Sequence, residues 1–340
     1  MEKELLKEKG FNLDAYGVVG SDEECKMAMD SALITTANSG IPVEVLTSFN
    51  ERAIKVLTEK RAATEIFAER KFSDRAELIK KFRMIEATGY TQPYSDYSDN
   101  GKSGVNYNFI PRENYLFETV IKYGDLEQEM VAKAKANLLA DLQASAALNI
   151  AIDFNRFYMK GVEGLENYGI LNQPNLPVAI TAANGAGGTP QWSTKTGAEI
   201  YKDIVAMMSD MASRTGGLVD MTTRYKLVIG ASVYPYLAQQ NSLGTETVLG
   251  MIKRSFPNLE VVVAPEYDDD YVPGTGGVQK VAQLIAVEVD GIPTGELGFS
   301  EKLSAGRVVP FLSHHAQKFM AGTYGAVIYR PVFVTTMVSI

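Results

Sequence analysis

The chain is poor in the residues on which most catalytic and metal-binding proteins rely: its 340 residues include one cysteine, Cys25, two histidines, His314 and His315, and one tryptophan. A single cysteine excludes an intrachain disulfide and a thiolate metal cluster. It fits a reducing compartment, and the thiol itself reads as buried and inert. A nucleophilic relay needs a histidine oriented by a third group, and the two available stand side by side. Neighbours on a strand point to opposite faces, so they cannot easily serve one substrate or one metal. A structural role is expected, with a pH-sensitive contact as the second reading. Basic charge is also short: 33 Lys and Arg face 41 Asp and Glu, a net charge of -8, which argues against a surface that neutralises phosphates. No window approaches the ~18 apolar residues of a membrane span. Met1-Glu2-Lys3-Glu4 does not open a secretory signal. A cytoplasmic protein with no membrane contact is expected.

What is there is patterned. Up to about residue 60, Gly10, Gly17, Gly20, Gly40 and Pro42 interrupt every periodicity, which predicts an extended arm that cannot fold alone. Alternation follows at Phe82 and Met84, at Val105, Tyr107 and Phe109, and from Tyr115 to Tyr123. These are strands. Between the first two lies a polar passage, Tyr90 to Gly104, with Pro93, Gly101 and Gly104 as turn formers. A long hairpin results, with too little core to be stable by itself, so it is expected to lie on another subunit.

Asp125 to Lys160 contains neither Gly nor Pro, and Leu126, Met130, Ala134, Leu138 and Leu142 recur at helical spacing. One helix of about 50 Å is predicted at ~1.5 Å per residue, with Asp125 as its N-cap and Gly161 as its stop. After a loop-rich stretch to Gly188, the pattern predicts a helix over Ala198–Ser213 and a strand over Tyr225–Ile229. Short helices are expected over Ser232–Gln240 and Thr245–Arg254, then a strand over Leu259–Ala264. Strands are expected over Val281–Val289, Val308–Leu312 and Ala326–Val338, the last broken by Pro331 near an edge. Two domains of mixed α+β structure are implied.

Three motifs that could mark a site read instead as loops or turns. Asn100-Gly101-Lys102-Ser103 resembles the end of a phosphate loop, but the first glycine of such a loop would fall at Asp96 and no helix follows. Gly274 to Gly277 lacks the flanking strand and helix of a dinucleotide fold. Glu266, Asp268, Asp269 and Asp270 could attract a hard cation, yet the spacing of a calcium loop is missing and a solvated turn is the better reading. Tyr90, Tyr94, Tyr97 and Tyr107 could stack on bases, but no basic groove accompanies them. Tyrosine buries area while keeping a polar tip, which suits a contact between subunits.

The order arm, long hairpin, long helix, α/β segment and returning strands resembles the tailed-bacteriophage major capsid proteins of HK97-type fold. Specific stretches carry the likeness: Phe157 to Pro174 with its Asn-Tyr-Gly-Ile-Leu-Asn-Gln-Pro ending, the tyrosine-and-aspartate tip Tyr94 to Asp99, the helix-strand-Tyr-Leu order from Trp192 to Gln239, and Gly325 to Val332 with its Arg-Pro. The likeness runs from about Ala62 to Ile340; the first 60 residues agree in position only. It implies an N-terminal arm (1–61), an E-loop with flanking strands (62–124), a spine helix of the P-domain (125–165), an A-domain (166–305) and C-terminal P-domain strands (306–340).

The resemblance also implies a structural protein without cofactor or catalytic site. It would self-assemble as hexamers and pentamers into an icosahedral head around double-stranded DNA, in the cytoplasm of a bacterial host. Tyr90, Tyr94, Tyr97, Lys102 and Tyr107 would contact neighbours, and Asp268, Asp269 and Asp270 would lie near the capsomer axis. Some members of the class join subunits through a hairpin Lys and a C-terminal Asn. Lys102 could serve, but no asparagine follows Asn258, so non-covalent seams are expected. A separate scaffolding protein, a portal and a decoration protein are the implied partners. An encapsulin-like nanocompartment is the alternative; a hydrolase or metal-dependent enzyme would rest on carboxylates alone.

Overall fold

A computed structural model describes residues 60–97, 101–133, 137–240, 246–268 and 280–340. Nearly all of the expected arm, Cys25, Asp269, Asp270 and the Gly274–Gly277 turn lie outside the described residues.

Two five-stranded sheets organise the body. In the first, Tyr115–Gly124 runs antiparallel to the N-terminal two-thirds of His314–Ile328, from Thr323 opposite Tyr115 to His314 opposite Gly124. The other side of that long strand pairs with Gly295–Ala305 and, at its start, with Val309–Pro310. Glu69–Lys71 closes the far edge in parallel. The helix Leu138–Lys160 packs on this sheet through aromatic edges. The Phe154 and Phe157 rings lie 5.1 Å from Phe117, and Phe157 lies 5.2 Å from Tyr115, a spacing that favours edge-to-face contact.

The second sheet has the order Ile180–Thr181, Val334–Val338, Val281–Ala286, Tyr225–Ile229, Leu259–Val263. Successive side chains leave opposite faces of a strand, and here both faces are covered. Val228, Val262, Val281 and Ile285 enter the core shared with the long helix. Leu227, Ile229, Ala282 and Leu284 enter a second core beneath the helices Gly197–Thr215 and Val248–Ser255. Burial on both faces makes Val281–Ala286 a nearly continuous apolar run. Its one polar member, Gln283, is fully buried; it accepts from the Tyr267 hydroxyl at 2.7 Å and donates to Thr336 Oγ1 at 3.3 Å.

Several elements depart from the sequence expectation. The predicted single helix Asp125–Lys160 is two, Asp125–Lys133 and Leu138–Lys160. Asn137 leaves helical geometry, and its Oδ1 accepts from Ala140 N at 3.2 Å, an N-cap inside an apolar stripe that periodicity alone cannot reveal. The longer piece spans only about 35 Å at ~1.5 Å per residue, and it stops at Gly161 as expected, with φ +68°. Ala326–Val338 is divided at Pro331, where a 3-10 turn carries the chain from the first sheet into the second. Proline has no N–H for the ladder. The expected strand Val308–Leu312 is only Val309–Pro310, because Phe311 N donates to His314 O at 2.8 Å in the turn into the next strand. Ser232–Gln240 forms a 3-10 turn, Tyr234–Ala238, with Pro235 in its first turn. Sheet membership also interleaves along the chain: Gly295–Ala305 belongs with the first sheet and Val334–Val338 with the second.

Candidate inter-subunit surface

Ile79–Tyr90 and Lys102–Glu113 form an antiparallel hairpin of twelve pairs, Ile79 opposite Glu113 through Tyr90 opposite Lys102, and among the described residues these strands pair only with each other. Directly opposed residues share a face. One face therefore carries Ile85 with Tyr107, Ala87 with Val105, and Arg83 with Phe109. These apolar side chains face solvent: Ile85 is 57% exposed, Val105 51%, Tyr107 60% and Phe109 54%. The Arg83 guanidinium lies 5.7 Å from the centre of the Tyr107 ring, a cation–π contact within the face. The hairpin meets the body at its root, where Phe82 on the opposite face packs 5.0 Å from Phe72 and 5.9 Å from Tyr329.

At the tip, Tyr94 and Tyr97 are almost fully exposed and Tyr90 more than half. Asp96 accepts from the Tyr94 hydroxyl and holds its phenol above the ordinary range. Lys102 is exposed in the pair with Tyr90. The structure thus gathers Tyr90, Tyr94, Tyr97, Lys102 and Tyr107 on one projecting element.

The hairpin root is polar and buried. Asn114 N donates to Leu78 O at 2.7 Å, its side-chain amide donates to Glu77 O at 3.3 Å, and its Oδ1 accepts from Ser300 Oγ at 3.0 Å. The Tyr324 hydroxyl donates to Glu77 O at 2.9 Å and shares a hydrogen bond with Ser73. Glu113 N donates to Glu166 O at 3.1 Å. The Asn167 amide bridges Glu113 O at 3.1 Å and Thr323 O at 2.9 Å. Arg112, itself buried, lies over the Tyr168 ring at 5.0 Å; desolvation holds its guanidinium below the ordinary value. This junction accounts for the Asn-Tyr-Gly stretch after the long helix. Gly325 has φ +70°, and a Cβ there would lie 2.3 Å from Tyr168 O and 2.4 Å from Asn167 Oδ1.

Asp268 stands elsewhere and has a local task. Its carboxylate accepts from Ser232 N at 2.9 Å and from Ser232 Oγ at 2.5 Å, closing the turn after Tyr225–Ile229. Glu266 accepts from the Asn155 side chain. Among the described residues no group of three or more His, Cys, Asp or Glu is placed to hold a metal ion, and no helix is long and apolar enough to cross a membrane. The histidines have separate partners: His314 stacks on Phe311 at 4.6 Å, whereas His315 stacks on Tyr123 at 5.4 Å with its Nδ1 3.2 Å from Asp125 Oδ1. Sequence reading missed the buried ion pair Lys195–Asp203 (2.5 Å), whose carboxylate also accepts from the Trp192 ring N–H at 3.0 Å. The spacing of eight residues across a helix start has no pattern to mark it.

Solved capsids share the architecture. The capsid of Myoviridae phage XM1 superposes with a TM-score of 0.71 at 14% identity, covering 89% of this chain and 100% of that one. The capsid of the native GTA particle gives 0.62 at 11%, with 90% and 99% covered, and that of cyanophage P-SCSP1u 0.54 at 10%, with 89% and 96%. At such identities the likeness concerns the fold, and the fold defined by two sheets, a long helix and a projecting hairpin is the HK97-type capsid fold. Over residues 32–339 the sequence matches the family described as Pa193 gp26 major capsid protein. The chain belongs to that family and is a structural component of a phage capsid. No curated protein matches it in sequence.

Proposed function

We propose that the chain tiles a closed icosahedral head as hexamers and pentamers, each hairpin lying across a neighbouring copy, with double-stranded DNA inside. One observation carries this reading: a hairpin of twelve pairs bears a solvent-facing apolar surface of Ile85, Val105, Tyr107 and Phe109. A two-stranded ribbon has no second layer of its own, and contiguous apolar surface of this kind marks a contact site. A second copy supplies the missing layer, worth ~25 cal/mol per Å² of apolar area before ordering costs.

Within this reading the segments 1–61, 62–124, 125–165, 166–305 and 306–340 serve as arm, E-loop region, spine helix, A-domain and returning strands. Asp268, Asp269 and Asp270 stand near the capsomer axis. Assembly takes place in the host cytoplasm with a separate scaffolding protein, a portal and a decoration protein. The seams are non-covalent, since Lys102 has no asparagine partner after Asn258. Electron microscopy of the chain isolated from infected cells tests the reading: closed particles or capsomers are expected, and a chain recovered only as a monomer overturns it. Nuclease-resistant double-stranded DNA in particles from infected cells separates a phage head from a cargo compartment. A boiled denaturing gel should show one band; a ladder of multimers would contradict non-covalent seams.

A further inference from the structure

We infer that the polar junction at the hairpin root is an angle-setting clamp, through which Asn114, Asn167 and Tyr324 fix the direction of the hairpin and so the curvature of the shell; this rests on the proposed reading of the hairpin as the contact arm. The hairpin is a lever of twelve residues, about 40 Å at ~3.4 Å per residue, so a turn of about 10° at its root moves the tip by about 7 Å. A displacement of that size decides which neighbouring surface the tip meets. Where the angle is held is therefore a functional question.

The hydrogen bonds concentrate at the root. Leaving the hairpin, the chain is fastened through Asn114 to Leu78, to Glu77 and to Ser300. On the entering side, Glu77 O is held by Tyr324. The Asn167 amide ties the leaving strand at Glu113 O to the long strand at Thr323 O. The entering side is thus bound to His314–Ile328, and the leaving side to Gly295–Ala305 and the loop after the long helix. Asn167 and Tyr324 are fully buried and Asn114 nearly so. Buried, directional bonds resist rotation in a way that apolar contact does not, because each has a narrow range of distance and angle. Packing reinforces the geometry: a Cβ on Gly322 would lie 2.2 Å from Ser300 Oγ and 3.1 Å from Asn114 Oδ1.

These are positioning residues; none need touch a neighbour. The test is the diameter distribution of particles formed by the full chain, measured by cryo-electron microscopy, with thermal melting of each variant recorded alongside. Tyr324→Phe removes only the hydroxyl and keeps the ring against Phe72, so it should fold. Asn114→Ala removes two side-chain bonds. Particles of both variants should show at least a twofold broader diameter distribution than wild type, or open sheets. A purely stabilising role predicts lower melting temperatures and lower yield with diameters unchanged, and that result overturns the inference. Should Asn114→Ala fail to fold, Tyr324→Phe alone decides. Failure of the underlying reading would look different, since wild type itself would then form no particles.

Discussion

Gly325 shows how much one position can constrain. An alanine there must adopt φ +70° and place its Cβ 2.3 Å from Tyr168 O. Left-handed strain alone costs ~1–3 kcal/mol, so Gly325→Ala should destabilise by at least that amount in chemical denaturation of the dissociated subunit. The buried Lys195–Asp203 pair sets a second test. Removing one partner of a buried pair strands the other charge, at ~3–5 kcal/mol, and Asp203→Ala should lose about that much. Acid stability supplies a third. Glu199 accepts from Thr196 N and from Ala186 N, both at 2.8 Å, which lowers its pKa. Asp220 is lowered likewise, first by the Thr222 hydroxyl. A carboxylate depressed on folding stabilises above its unfolded pKa, and that stability is lost as pH falls through the folded value. Melting temperature should therefore drop below about pH 4, the ordinary carboxylate range, and Glu199→Gln should flatten that drop. An unchanged acid slope would remove Glu199 from the account. Of these residues, Gly325 stood out in the sequence only through its company, while Lys195, Asp203 and Asn114 gave no signal, because their partners are distant or aperiodic in the chain.

At the scale of elements, the hairpin and the α/β sheet were legible because both follow simple periods. Alternation marked Phe82 to Phe109 and Tyr115 to Tyr123. The stripe Ile200, Ile204, Met207 and Met211 marked the helix Gly197–Thr215, whose capping box at Thr196 and Glu199 completes it. Gly295–Ala305 was not legible. Its buried positions are Gly295, Leu297, Gly298 and Ser300, too small and polar to form an apolar alternation, and its register shifts three times against the neighbouring strand. The division of Asp125–Lys160 was hidden for the opposite reason: the apolar stripe continues across a cap that depends on one side-chain rotamer of Asn137. The hairpin makes its own prediction. Tyr107→Asp puts a charge at the centre of the exposed apolar face, where it costs the isolated subunit little but cannot be buried cheaply on assembly. Melting of the dissociated subunit should change by no more than ~0.5 kcal/mol in stability, while particle yield falls at least tenfold. Equal loss in both would mean that the face is part of the subunit's own fold.

For the whole molecule, the body and the hairpin divide the labour of a capsid wall. The body holds two apolar cores, one beneath the long helix and one beneath Gly197–Thr215 and Val248–Ser255. The hairpin has no such core, and in the proposed reading a second copy completes it and makes the folded chain a tile. The net charge of -8 is compatible with a wall that does not adsorb packaged DNA through its average charge. The most direct measurement is a cryo-electron microscopy reconstruction of the assembled particle at side-chain resolution. Ile85, Val105, Tyr107 and Phe109 of each copy should be covered by a neighbouring copy; a shell in which that face stays bare would contradict the account.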